Sequence, residues 1–495
     1  MTGLKKLISF ASAAAIAVSM CSVSVSASEA YNPYNYDRWG DPISSQAGYT
    51  ADYFVDGNTI GCGALSEPAD LYVSYDNLMY IVDKGNNRIV ITDLDFNFVR
   101  EMKDFTYNGE ATTLKKPTGV FVDQYTGWIY IADNENNRVI KCDEDGNIDR
   151  IFGKPETELY SQDLTYNPNK VLVDKAGNVY VVVKSVTRGA VMFDSEGEFL
   201  GFYGANRVEQ TAEVLANAFW NLISTEEQRA RSTKSTPIGF SNFDIDDMGF
   251  IYTVTESTET TTDLVKKLNP RGDNIIDSLG VSEDFFFGDI SPTYYSIYAK
   301  QSSLTDLDIG PNGELNILDF QHGRIFQYDK ECWLLFIMGG TGEQLGTFRS
   351  ATAIESYDNH LYVLDSRKNS VTVFTRTVFG EIVTEASNLY NDGKYEESLE
   401  PWQNVLKYDG NYRRAYIGIG NALFNRFEYK EAMKYFKISI SRQRYNRAFE
   451  GYRDEWLKQY ITPILIVLVV VIVALVVISK LRKKGKLRFN RKGGA

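Results

Sequence analysis

Between residues 49 and 376 the chain reads as short runs of alternating apolar and polar side chains broken by Asp-, Asn- and Gly-rich turns, the pattern of half-buried strands. The clearest run is Lys116-Pro117-Thr118-Gly119-Val120-Phe121-Val122-Asp123, followed by Trp128-Ile129-Tyr130-Ile131-Ala132-Asp133-Asn134-Glu135-Asn136-Asn137-Arg138-Val139-Ile140. It predicts two short strands with alternating buried and exposed positions, and the start of a third.

The run recurs. Pro68 to Ile91 repeats it upstream with Asp83-Lys84-Gly85-Asn86-Asn87-Arg88, and Pro168 to Val183 repeats it downstream. Fainter copies begin at Gly239, Leu304 and Ala351, the fifth carrying Asp319 and Arg324 and the sixth Asp365. Six units at a spacing of roughly 40 to 50 residues predict a radial array, because one small sheet cannot bury both of its faces alone. The units resemble NHL repeats, on the Pro, the strand ending in Asp and the Asp-x-x-Asn-Asn-Arg turn of the first two. The resemblance implies a six-bladed β-propeller over residues 49–376, with insertions at about 201–236 and 273–303. The sixth unit lacks an outer strand, and Tyr49 to Val55 is placed to supply it, joining first blade to last.

From Glu381 the apolar period changes from two to about 3.6. Ala386 and Gly420, Tyr395 and Tyr429, and Trp402 and Phe436 are each 34 residues apart. Residues 381–460 therefore resemble tetratricopeptide repeats, small residues marking helix contacts and the tyrosines the turns. Two copies are few for independent folding, so this unit is expected to rest on the propeller, on a partner or on the next helix. The fold class is thus mainly β, with a six-bladed propeller, a short α-helical repeat unit and one transmembrane helix.

That last helix is predicted at 461–479, an uncharged apolar run long enough to cross a bilayer, entered at Pro463. Lys480, Arg482, Lys483, Lys484, Lys486, Arg488, Arg491 and Lys492 follow, so residues 480–495 form a basic cytoplasmic tail and the folded part lies outside the cell membrane. At the other end, Lys5 and Lys6, an apolar stretch and Val25-Ser26-Ala27 read as a signal peptide over residues 1–27. Residues 28–48 form an irregular Tyr-rich segment expected to pack over the blades or to offer an aromatic sugar-binding strip.

The net charge of −13 understates the acidity of what lies between, since ten cations sit in the leader and the tail. So acidic an ectodomain repels phosphate backbones and excludes nucleic acid as a partner. Cys62, Cys142 and Cys332 remain after processing and show neither a disulfide framework nor metal-ligand spacing.

Metal-dependent lactonases and lyases use propellers of this kind, so enzyme chemistry has to be weighed. His322 and His360 are the two histidines, and no nucleophile elbow, His-Glu-x-x-His or phosphate loop is present. Asp83, Asp133, Asp319 and Asp365 recur at one strand end, and repetition argues for turn-capping carboxylates paired with Arg88, Arg138 and Arg324 rather than for catalysis, with Asn87 and Asn137 shaping the turns. No catalytic residue, metal or cofactor is expected. Exposed aromatics instead suggest a partner surface: Phe219 and Trp220 in the first insertion, Phe285, Phe286 and Phe287 in the second, and Tyr395 and Tyr429 in the helical unit. The expected function is a protein-interaction scaffold for a membrane or envelope protein. Glycan binding is the alternative, metal-dependent hydrolysis the third reading, and the lipid bilayer a further partner through 461–479 and the tail.

Overall fold

The computed structural model describes residues 30–205, 239–256, 264–276, 286–289 and 302–483. Its sheets form six blades. Blade 1 is Asp70–Val73, Leu78–Asp83, Arg88–Asp93 and Phe98–Met102; blade 2 is Pro117–Val122, Ile129–Asp133, Arg138–Cys142 and Ile148–Phe152. Blade 3 is Pro168–Val173, Val179–Val183, Gly189–Phe193 and Phe199–Gly204, so residues 201–204 belong to a blade rather than to an insertion. Blade 4 comprises Asn242–Ile245, Ile251–Val254 and Val265–Leu268, and blade 5 Leu304–Ile309, Leu315–Asp319, Arg324–Tyr328 and Leu334–Gly339. Blade 6 is Ala351–Tyr357, His360–Asp365 and Ser370–Arg376. First strands of successive blades pack side by side, and that of blade 6 returns to that of blade 1. The ring is closed.

Strand Tyr49–Asp56 fastens it. It pairs antiparallel with Ser370–Arg376, from Ser370 opposite Asp56 to Arg376 opposite Tyr49, and removes the edge that blade 6 would otherwise expose. The alternation expected of the inner strands does not hold. Pro117–Val122, Ile129–Asp133 and Leu315–Asp319 are buried at every position, because each blade is covered on both faces by its neighbours. The Tyr-rich segment is regular: Tyr34–Tyr36 and Pro42–Ser44 form a hairpin added to the outer edge of blade 5.

Five helices follow: α1 (Val378–Asn391), α2 (Leu399–Tyr408), α3 (Arg413–Asn425), α4 (Tyr429–Ile438) and α5 (Arg442–Lys483). Consecutive helices pack together, and small residues set their spacing. A Cβ on Gly418 would stand 2.4 Å from Trp402 Nε1, and one on Gly420 would stand 2.5 Å from the Phe436 ring. The helices and the blades share one core, in which Tyr49, Phe336 and Phe374 meet Phe379, Trp402, Tyr412 and Phe436. Polar ties reinforce it. Arg414 ion-pairs with Asp329 of blade 5 at 3.2 Å, Ser387 Oγ donates to the same carboxylate, and the Tyr412 hydroxyl donates to the Leu335 carbonyl.

Helix α5 is continuous from its packed beginning, where Ala448 is buried, through the apolar run. Pro463 therefore lies inside a helix instead of opening a new one. The apolar window has mean hydropathy 3.5 and none of it is buried, and the helix is long and apolar enough to cross a membrane. Trp456 and Tyr460 pack against each other at its entrance, 5.3 Å between ring centres and tilted by 36°, and Lys480, Arg482 and Lys483 stand at its end.

Candidate functional site

The repeated turn is a structural clasp. Asp83 is fully buried; its Oδ1 accepts the Ser66 N–H at 2.8 Å and its Oδ2 accepts from Asn86 Nδ2 at 2.8 Å and Arg88 Nε at 2.7 Å. Asp133 repeats this with Lys115, Asn136 and Arg138. Each carboxylate thus ties the turn after its strand to the loop entering the same blade. Asn87 and Asn137, at φ 56° and 54°, adopt the left-handed conformation that Asn tolerates and turn their side chains outward to the next blade. Asn87 Oδ1 accepts the Lys116 N–H at 2.8 Å, and Asn137 Oδ1 accepts from Asn167 at 3.2 Å. Asn369 does the same for Glu67 across the closure, at 2.9 Å. Its lone Asn in Lys368-Asn369-Ser370 gave little signal, because the Asn-Asn-Arg signature is gone from that turn. Asp365 keeps the clasp through backbone N–H groups of Arg349 and Ser350. Arg324 does not pair with Asp319 as expected; it is diverted to Asp289, and His322 occupies the Asp319 carboxylate instead.

The channel at the propeller axis carries a second set of carboxylates that the repeat pattern did not single out. Each leans on the neighbouring blade: Asp70 accepts the Val120 N–H at 3.0 Å, Asp244 that of Ile309 at 3.0 Å, Asp306 that of Ile354 at 2.7 Å and Glu355 that of Val73 at 3.3 Å. Asp308 accepts from Asn316 Nδ2 at 2.7 Å. Burial pushes these acids up: Asp244 to about 8, with Asp308 nearby adding to the rise, and Asp308 to about 6 against the pull of Ser356 and Asn316. Asp306 is pushed up to about 7, burial and the Asp70 charge outweighing the Lys170 ammonium, and Glu355 is raised well above its ordinary value. Lys170 stays charged: burial acts against it, but Asp306 and Asp70 both face it. Among the described residues no group of three or more His, Cys, Asp and Glu is arranged to hold a metal ion.

Above the channel opens a cavity of about 660 Å³ to which all six blades contribute, lined by Lys84, Lys184 and Arg367, by Glu67 and Glu256, and by the exposed Phe320. The carboxylates beneath it are engaged in holding blade to blade.

The residues expected to form a partner surface are scattered. Phe219, Trp220 and Phe285 lie outside the described residues. Phe286 packs edge-on against Tyr36 at 5.2 Å and Phe287 against Tyr328 at 5.1 Å, so both face the blade 5 core. Tyr395 is half-buried against Tyr390, and Tyr429 packs on Phe424 and over Gly451. The helical unit exposes other apolar side chains, among them Tyr408, Phe427, Ile438 and Ile440, exposed by 43–68%. These lie at helix ends, where the 3.6-residue pattern gives no reading.

No family model matches the chain, and no curated protein matches it either. Among solved structures it is similar to virginiamycin B lyase from Staphylococcus aureus, with a TM-score of 0.38 and 11% identity over 63% of this chain and 95% of that one. A putative gluconolactonase gives 0.39 and 12% over 70% and 98%, and hydrazine synthase from Kuenenia stuttgartiensis 0.38 and 11% over 63% and 96%. At these identities and scores nothing follows about ligand or activity.

Proposed function

We propose that this chain is a membrane-anchored extracytoplasmic scaffold: an NHL-like propeller and a tetratricopeptide-like unit that together hold a membrane or envelope protein beside the bilayer. The observation that carries this reading is the continuity of core and helix. Blades 5 and 6 share a hydrophobic core with α1–α4, and α5 leaves that core without a break to become the apolar helix. A flexible tether would serve a mobile enzyme; a shared core and a continuous helix hold binding surfaces at a fixed height and angle. The helical part of 461–479 is about 28 Å long at about 1.5 Å per residue, close to a hydrocarbon core of about 30 Å. In this reading the signal peptide exports the propeller, and the basic tail holds the carboxyl end in the cytoplasm and touches anionic lipid.

The contact surface is the exposed apolar set at Tyr408, Phe427, Ile438 and Ile440, with the charged mouth of the channel as the second. Crosslinking in intact cells followed by affinity purification tests this. The full-length chain is expected to recover one specific membrane protein that Ile438→Glu fails to recover. If a Lys84→Glu, Lys184→Glu, Arg367→Glu variant loses it instead, recognition belongs to the mouth. Recovery of no partner by any of these chains would defeat the scaffold reading and turn the test to glycan binding, then to lactonase- or lyase-like chemistry.

A further inference from the structure

Blade 5 departs from the clasp of blades 1 and 2 at three positions, and all three departures meet at one cleft. In blades 1 and 2 the third residue after the strand aspartate is Asn86 or Asn136. Each gives one amide hydrogen to the aspartate and the other to a loop carbonyl, Ala64 O or Thr113 O, at 3.0 Å. In blade 5 this residue is His322, whose Nδ1 lies 2.7 Å from Asp319 Oδ2. The next position, Asn87 or Asn137, becomes Gly323, where a Cβ would stand 2.7 Å from Gly340 O. Its missing side chain lets the 339–341 segment close down as a wall. The arginine, third of the set, leaves the aspartate: Arg324 pairs with Asp289, and its guanidinium lies 5.2 Å from the Tyr34 ring centre.

The cleft so formed measures about 320 Å³ and is lined by Asn32, Tyr34, Gln321 and His322 with the Gly339–Gly340 backbone. Asp319 is fully buried and anchored by the Ser303 and Gln321 N–H groups at 2.9 Å, so it is held as an acceptor. It therefore fixes a proton on His322 Nδ1, and in the neutral imidazole Nε2 is the acceptor, on the ring edge turned away from the aspartate. Where the asparagines of blades 1 and 2 spend their second contact on the chain itself, His322 keeps its own for the cleft. The remaining lining is neutral: two carboxamides, two tyrosines, a threonine and peptide groups, with Arg324 balanced by Asp289. Neutral donors and acceptors beside an aromatic ring, in a volume at the low end of ligand pockets, select a small hydroxyl-rich ligand rather than an ion.

We propose that this cleft on blade 5 binds a neutral saccharide, one of whose hydroxyls donates to His322 Nε2 while the ring rests on Tyr34. The site is separate from the protein-partner surface on the helical unit, so either can fail without the other.

The chain holds two histidines, His322 and His360, which makes the test direct. The full-length chain, labelled with ¹⁵N at histidine and held in lipid nanodiscs at mildly alkaline pH, is titrated with glucose, N-acetylglucosamine and their β-linked trimers. The His322 nitrogens are expected to shift saturably with at least one probe while those of His360 stay in place. His322→Asn restores the amide of blades 1 and 2 and is expected to keep the melting temperature while weakening saccharide affinity at least tenfold. Unmoved His322 signals with every probe would overturn the proposal, as would undiminished binding by His322→Asn.

Discussion

Lys170 of blade 3 reaches across the channel to ion-pair with Asp70 of blade 1, past blade 2, and stands 3.9 Å from Asp306 of blade 5. Its side chain is 12% exposed and those of the two acids 4%, so three blades are joined through one buried ammonium. Removing one member of a buried ionic set leaves an uncompensated charge and costs about 3–5 kcal/mol. Lys170→Met is expected to lose stability on that scale in urea unfolding, and adding Asp70→Asn to recover part of it. A double variant as unstable as the sum of the single ones would show that the pair does not act as a unit.

The channel acids also set a pH dependence. Asp244, Asp306 and Asp308 are raised by burial from 3.8 to about 8, 7 and 6. The folded chain therefore binds more protons than the unfolded one between about pH 4 and pH 8, and stability falls as pH rises through that window. The melting temperature should be higher at pH 5 than at pH 8, and Asp244→Asn should flatten the difference. A melting temperature that climbs toward pH 8 would contradict the buried, engaged state of these carboxylates.

At the repeated clasp, Asp133→Ala strips acceptors from the Lys115 N–H, Asn136 and Arg138 together. Hydrogen bonds to a charged group contribute about 1.5–3 kcal/mol each, so a loss of at least about 3 kcal/mol is expected. Asp143→Ala, which removes acceptors only from an exposed hairpin turn, should cost less than about 1 kcal/mol. Equal losses in denaturant titrations would remove the distinction between clasp and turn.

The blade count, the closing strand and the clasp at Asp83 and Asp133 were legible in the sequence because they rest on local turn chemistry and period-two patterning. The channel acids were not. Asp70, Asp244 and Asp306 sit on strands that look like any other half-polar strand, and their shared environment exists only once blades far apart in the chain meet. The alternation read into Pro117–Val122 was misleading for the same reason: Thr118 and Gly119 are small enough to be buried beside a neighbouring blade, and Thr118 Oγ1 donates to the Pro168 carbonyl of blade 3. Arg324 and His322 show the limit of reasoning by repeat, since Asp289, the group that draws the arginine away, lies in an insertion with no counterpart in the other units.

The small residues of the helical unit give a prediction whose sign is informative. Gly to Ala inside a helix ordinarily stabilises by about 1 kcal/mol. At Gly418 and Gly420 the added methyl would meet the Trp402 and Phe436 rings, and overpacking costs about 1–3 kcal/mol. Gly418→Ala and Gly420→Ala are therefore expected to lower the melting temperature. A rise in either would mean that α2, α3 and α4 are not in the close contact described.

The scaffold reading depends most of all on the folded body standing outside the cell while α5 crosses the membrane. The direct measurement is antibody labelling of an epitope inserted at the exposed Gly109 turn between blades 1 and 2, compared in intact and permeabilised cells, with a second epitope after Ala495. The account predicts that the first epitope is labelled on intact cells and the second only after permeabilisation. Labelling of the first epitope only after permeabilisation would place the propeller inside and contradict it.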